Sequence, residues 1–165
     1  MKKLVFVLAL LVSACGFEPM YSSNDGRDQL DYMVHVAPIS GTDGIELRNR
    51  LRSKLNPFGE PAAPLYKLNV KLLPKDNFLK GVQRTGDATW QEIRLTASYE
   101  LIDAATGKII LSNSESVSES YTFVQNLVAA DSAAASATSS AIRILSDKIA
   151  GRVKVFIQAK ESGAE

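Results

Sequence analysis

One cysteine, one histidine and one tryptophan stand in a chain of 165 residues. A single cysteine excludes an internal disulfide, so stability has to come from a packed core even in an oxidising compartment. A single histidine removes the commonest general base and the usual zinc clusters. Aromatic residues are 7% of the chain and are not interleaved with basic runs, which argues against a stacking surface for single-stranded nucleic acid. Charge of either sign is not in excess, with 19 Lys and Arg against 18 Asp and Glu. A general basic field for nucleic acid is therefore missing, although a local basic patch is not excluded. No apolar run reaches the roughly 18 residues expected of a membrane helix.

The cysteine sits where it carries most meaning. Lys2 and Lys3 form a positive start, Leu4 to Val12 an unbroken apolar run, and Leu11-Val12-Ser13-Ala14 lead to Cys15 through small residues. This reads as a bacterial lipobox. The apolar run suits a signal peptide and is too short to span a bilayer. Residues 1–14 are expected to be removed, and Cys15 to carry the acyl chains. Several chains on one residue anchor durably, where a single chain binds marginally. Loss of Lys2 and Lys3 leaves 17 basic against 18 acidic residues. Gly16, rather than an acidic residue, follows the cysteine, which in Gram-negative sorting favours the outer membrane. An ordinary secretory signal with an incidental cysteine is the bland alternative.

Residues 15–29 read as a lipidated tether, polar and rich in Ser, Asn, Asp and Gly. Residues 30–165 read as one domain. Tyr32, Val34 and Val36 alternate in a strand over 30–39. Asp43 and Glu46 predict a capping box, with Thr42 the competing cap, before a helix whose stripe is Leu47, Leu51 and Leu55. Asn56-Pro57-Phe58-Gly59 ends it. Tyr66, Leu68, Val70 and Leu72 alternate with Lys67, Asn69 and Lys71 in a half-buried strand. Residues 74–87 read as a mobile loop. Gly81 and Gly86 have phosphate-loop spacing, but Asp87 stands where the lysine belongs. Residues 88–102 and 108–121 read as a hairpin about a turn at 103–107. The second strand is so polar at 112–120 that it belongs at an edge or under cover. From about 126 to 160 the chain reads as a helix, slim with alanine first and greasier later through Ile142, Leu145, Ile149, Val153 and Phe156. Gly151 marks a possible bend.

The order β-α-β-β-β-α predicts an α+β two-layer sandwich, with two helices packed on one face of a mixed four-stranded sheet. Chemistry is sparse. His35 lies in a strand with no nucleophile nearby, no serine elbow occurs, and no metal-ligand spacing occurs. No catalytic, cofactor or metal site is expected, so the chain reads as a binding protein rather than an enzyme.

Cys15-Gly16-Phe17-Glu18-Pro19-Met20-Tyr21 resembles the mature start of the LPS-assembly lipoprotein (LptE) family, often Cys-Gly-Phe-x-Pro-Leu-Tyr, with Met20 for the leucine. Length, element order and the long Ala-rich last helix are also similar. The resemblance implies an outer-membrane lipoprotein on the periplasmic face that plugs and helps assemble the LptD β-barrel. It also implies that the chain passes lipopolysaccharide to the surface and can bind it. Lipid A phosphates are anionic, so Lys75, Lys80 and Arg84 around Phe78 and Leu79 are the candidate contacts, with Lys67 and Lys71 next. For each single cation a solvated surface role competes. Two rivals remain, a generic envelope lipoprotein binding protein or peptidoglycan, and a lipid-anchored hydrolase.

Overall fold

The computed structural model describes residues 33–82, 88–122 and 126–163. Among these residues five strands and two helices follow one another: β1 (Val34–Val36), α1 (Thr42–Leu55), β2 (Tyr66–Leu72), β3 (Asp76–Val82), β4 (Ala88–Asp103), β5 (Ile109–Thr122) and α2 (Leu127–Glu161). The fold is α+β, with both helices against one mixed sheet. β1 and β2 are parallel, as a strand-helix-strand unit requires, and every other pairing is antiparallel.

The segment 74–87 is not a plain loop. Its first half is β3, so the sheet has five strands rather than four. β3 continues the line of β2 along the same side of β4. Leu72 lies opposite Ala97, the Leu73 amide donates to the Thr96 carbonyl at 2.9 Å, and Asp76 lies opposite Arg94. Pro74, with no N–H to give, stands at the break. The ladder then slips on either side of Gly81. Alternation did not reveal this strand because neither helix covers it fully. Phe78 and Leu79 point to opposite faces and both stay exposed.

β1 is shorter than the 30–39 expected, and residues 30–32 lie outside the described residues. Met33 marks the same end of the sheet, since its carbonyl accepts from the Tyr66 amide at 2.9 Å. The capping box does not form. Gly41 is the N-cap of α1 at φ 84°, with no side-chain cap. Asp43 turns to Lys75 instead, and Glu46 to Arg50 and Ser139. Gly44 lets the helix start press on Ile39, where an added Cβ would sit 2.8 Å from Cγ2.

The core lies between the layers. Leu47, Leu51 and Leu55 of α1 meet Val34, Val36 and the inward side of β2, and α2 adds Ile142, Leu145, Ile149, Val153 and Ile157. Ile157, rather than the half-exposed Phe156, ends that stripe. Leu95, Ala97, Tyr99 and Leu101 form the inward row of β4. The hairpin turn is held by Asp103, whose Oδ1 accepts from the amides of Ala105 and Thr106 and from the Thr106 hydroxyl. Gly107 follows at φ 68°.

Among the described residues β1, β3 and β5 each have an outer edge, and those of β1 and β5 end differently. On β1, the Asn56 amide donates to the Val34 carbonyl at 2.7 Å and Arg48 Nε to the Val36 carbonyl at 3.1 Å. On β5, which among the described residues pairs only with β4, Lys148 of α2 reaches the Ser116 carbonyl at 3.2 Å. The polar stretch 112–120 is therefore an edge strand, and its sole fully inward apolar contact is Val117.

Candidate functional site

Among the described residues, both helices pack on one face of the sheet and leave the other bare. Strand alternation puts Lys67, Asn69 and Lys71 of β2 there, with Glu92, Arg94, Thr96, Ser98 and Glu100 of β4 beside them. β5 adds Ser112, Ser114, Ser116, Ser118 and Ser120. The register crosses strands in polar rows. Asn69 faces Glu100, which faces Ser112; Lys71 faces Ser98, which faces Ser114. Short side chains at 98 and 112 leave a shallow depression of about 250 Å³ beside Asn69, Lys71 and Glu100.

Of the cations expected to meet an anionic ligand, Lys67 and Lys71 are exposed on this face and have no ion pair among the described residues. Four residues apart on one strand, they stand about 13 Å from each other. Lys80 shares the face farther along, but Glu92 takes it at 3.4 Å and Phe78 lies under it at 5.8 Å. Arg94 stacks more closely on Phe78, at 4.8 Å, and also binds Glu92. Desolvation alone would push the Glu92 carboxyl up. Lys80, a Ser118 hydrogen bond and Arg94 outweigh it, and the carboxyl is held below its ordinary value. Arg84 lies outside the described residues.

Lys75 is separated from the others. It faces the helix layer, 3.6 Å from Asp43, in a cleft of about 500 Å³ between the helix starts and the far end of the sheet. Alanines 134 and 135 keep that cleft open, and Tyr121 donates to Gln91 within it. The cleft is larger than the depression on the bare face, but Asp43, Glu46 and Asp131 outnumber Lys75 on its walls. An anionic ligand is repelled there, so the bare face is the better receptor.

The five expected contacts thus do not form one basic loop. Arg94, Asn69 and Ser98 were missed as site residues. Their signal is the parity they share across neighbouring strands, which becomes readable only once the register is known.

His35 is an edge-strand residue, as expected. Its Nδ1 meets Glu60, which also binds Arg52 at 2.8 Å. Among the described residues, no group of three His, Cys, Asp or Glu could hold a metal ion, and no helix is long and apolar enough to cross a membrane.

No family model matches the chain, and no curated protein matches it either. Solved structures do. A lipoprotein of Caulobacter crescentus is 23% identical at a TM-score of 0.66, over 81% of this chain and 96% of its own. The rare lipoprotein B of Shewanella oneidensis is 12% identical at a TM-score of 0.54, over 80% and 94%. A minor lipoprotein of Acinetobacter baumannii is 14% identical at a TM-score of 0.56, over 75% and 92%. The chain shares its fold with these bacterial lipoproteins.

Proposed function

We propose that this chain is an outer-membrane lipoprotein, anchored through Cys15, that plugs an LptD-like β-barrel, helps it assemble and hands lipopolysaccharide to the cell surface. It does so by binding rather than by catalysis. The observation that carries the reading is the bare sheet face, polar across its strands and bearing Lys67 and Lys71 unpaired. A barrel lumen is polar, so a plug has to present surfaces that tolerate water. Two unpaired ammonium groups about 13 Å apart, beside a depression lined with hydroxyl and amide groups, suit a head group with separated phosphates on a sugar. The Cys15–Tyr21 start and the lipoprotein fold support the same reading.

The experiment is a pull-down of the tagged, lipidated protein from detergent-solubilised outer membranes, followed by mass spectrometry. A near-stoichiometric large β-barrel is the expected result. Recovery of the folded, lipidated protein with no barrel overturns the plug reading. A generic envelope lipoprotein that binds protein or peptidoglycan then stands in its place. The ion pairs that occupy Lys75 and Lys80 favour that second reading, since they remove two of the five expected contacts.

A further inference from the structure

The free edge of β5 is built to pair with a copy of itself. The Leu73 amide bonds the Thr96 carbonyl, which turns Thr96 and its even-numbered neighbours on β4 toward β2 and β3. Opposite pairs in an antiparallel ladder alternate between bonded and non-bonded. The odd residues of β5 therefore bond β4, and Ser112, Ser114, Ser116, Ser118 and Ser120 turn their backbone groups outward. The contact of Lys148 with the Ser116 carbonyl has the same parity. Every even-numbered residue from 112 to 120, whose backbone groups face outward, is a serine, so on the bare face nothing bulky keeps a second strand away.

We propose that two copies of this chain associate through β5, antiparallel, about a two-fold axis at Ser116. The register follows from the sequence. Ser116 meets Ser116 of the second copy, Ser114 meets Ser118, and Ser112 meets Ser120, all as bonded pairs. On the helix side Leu111 meets Tyr121, and Asn113 meets Glu119. Glu119 has no ion or hydrogen-bond partner among the described residues, and the Asn113 amide supplies a donor. Glu115 of each copy is already paired with its own Arg152, and Lys148 of each lies beside Ser116 at the axis, so the seam brings cations as well as carboxylates together.

Two local contacts stand in for the partner in the single chain. Asn113 Oδ1 accepts from the Ser114 amide at 2.7 Å, and Lys148 covers the Ser116 carbonyl. Both give way when the strands pair. The β1 edge has no such freedom, because Asn56 closes it with a buried bond. A ladder of this length is shorter than the roughly 20–30 residues a side of a standard interface, which puts the dimer in the weak, concentration-dependent class. The proposal is independent of the plug reading.

The test is oxidative cross-linking in cell membranes of the full chain carrying Ser116→Cys, with the parent chain, whose one cysteine is Cys15, as background. Bonded antiparallel pairs place their Cα atoms about 5.5 Å apart, within the range a disulfide spans. The expected result is a disulfide-linked dimer well above the parent, absent with Thr96→Cys on the central strand. Adding Ser118→Pro removes an N–H that faces outward in the single chain but is needed across the axis. It should abolish the cross-link, while Ser118→Thr should keep it. In detergent the unmodified protein should shift from monomer to dimer mass as concentration rises. A monomer mass throughout with no cross-link at position 116, or a cross-link that survives Ser118→Pro, overturns the proposal.

Discussion

The side-chain amide of Asn56 donates 2.7 Å to the Val34 carbonyl, joining the end of α1 to the outer edge of β1 across 22 residues of sequence. Asn56 is 5% exposed, so the bond is shielded from water. The same residue ends the helix, its own amide returning to the Arg52 carbonyl. Asn56→Ala leaves a buried carbonyl without its donor and should cost about 1–3 kcal/mol. Asn56→Asp, which sets a carboxylate against that carbonyl, should cost at least as much. Urea titration of both variants decides this; a loss below about 0.5 kcal/mol for each would show that the edge is not held by this bond.

Gly44→Ala tests the close approach of α1 to Ile39. In an open helix alanine stabilises relative to glycine by up to about 1 kcal/mol. Here the new methyl meets Ile39 Cγ2 at 2.8 Å and its backbone at 3.1 Å. Overpacking of this kind costs about 1–3 kcal/mol, so the net effect should be a lower thermal midpoint. Gly151→Ala is the matched control. A Cβ added there would meet no other part of the described residues within 4 Å, and the helix runs through it without a break, so it should gain stability.

Acid should weaken the fold through three carboxylates. Glu46, Glu92 and Asp103 are all held below their ordinary values. At Glu46 desolvation opposes the shift, and hydrogen bonds from Ser139 and Arg50 overcome it. At Asp103 the Thr106 amide and hydroxyl lead, joined by Lys160. A lowered native pKa contributes stability that is full above the unfolded values, about 4.3 for Glu and 3.9 for Asp, and is lost as pH falls through the native values. Chemical denaturation should give a flat profile near pH 6 and a fall below about pH 4. A profile still flat at pH 3 would contradict the assignment.

Tyr99 sets the opposite limit. Burial, and then the charge of Glu115, push its hydroxyl up, against Arg152, and that hydroxyl has no hydrogen-bond partner among the described residues. A raised pKa means stability that is full below the unfolded value, about 10, and is lost as pH rises through the native one. Tyr99→Phe should be as stable as the parent at neutral pH, since an unpaired buried hydroxyl contributes nothing favourable. It should also lose less stability than the parent above pH 10. A marked loss at neutral pH would mean that the hydroxyl is bonded after all.

Lys67→Glu with Lys71→Glu should weaken binding of the purified protein to lipopolysaccharide at least tenfold and reduce its salt dependence. Lys75→Glu, whose parent side chain is paired with Asp43 on the other face, should have a much smaller effect. Equal losses for the two changes would move the receptor off the bare face. Circular dichroism on each variant separates lost binding from lost fold.

The elements that could be read from sequence are those whose two sides differ in solvent. The α1 stripe Leu47, Leu51 and Leu55, the alternation of β2 and the Asp103 turn all came out as expected, because each side of the element meets a different environment. β3 was hidden because both its faces are wet, which leaves no contrast to read. The failed capping box has another cause. Asp43 and Glu46 have the right spacing, but Lys75, Arg50 and Ser139 compete for them from elsewhere in the chain. Arg48 shows the same limit, since its place along α1 does not by itself predict the bond from its Nε to the Val36 carbonyl. The candidate site was half legible. Lys67 and Lys71 follow from alternation alone, whereas Arg94 joins them only through the register of β4. The lipobox and Arg84 lie outside the described residues.

β2 and β3 run in one line along β4, so the sheet has a near end at Met33 and a far end at Val82. β4 spans the whole length in 16 residues, about 50 Å at the usual rise per residue. A bilayer with its head groups is about 40–45 Å thick. In the reading proposed above, a domain anchored at Cys15 would have the reach to touch one leaflet's surface from the other. Phe78, Leu79 and Trp90, exposed near the far end, are where such a contact would be felt.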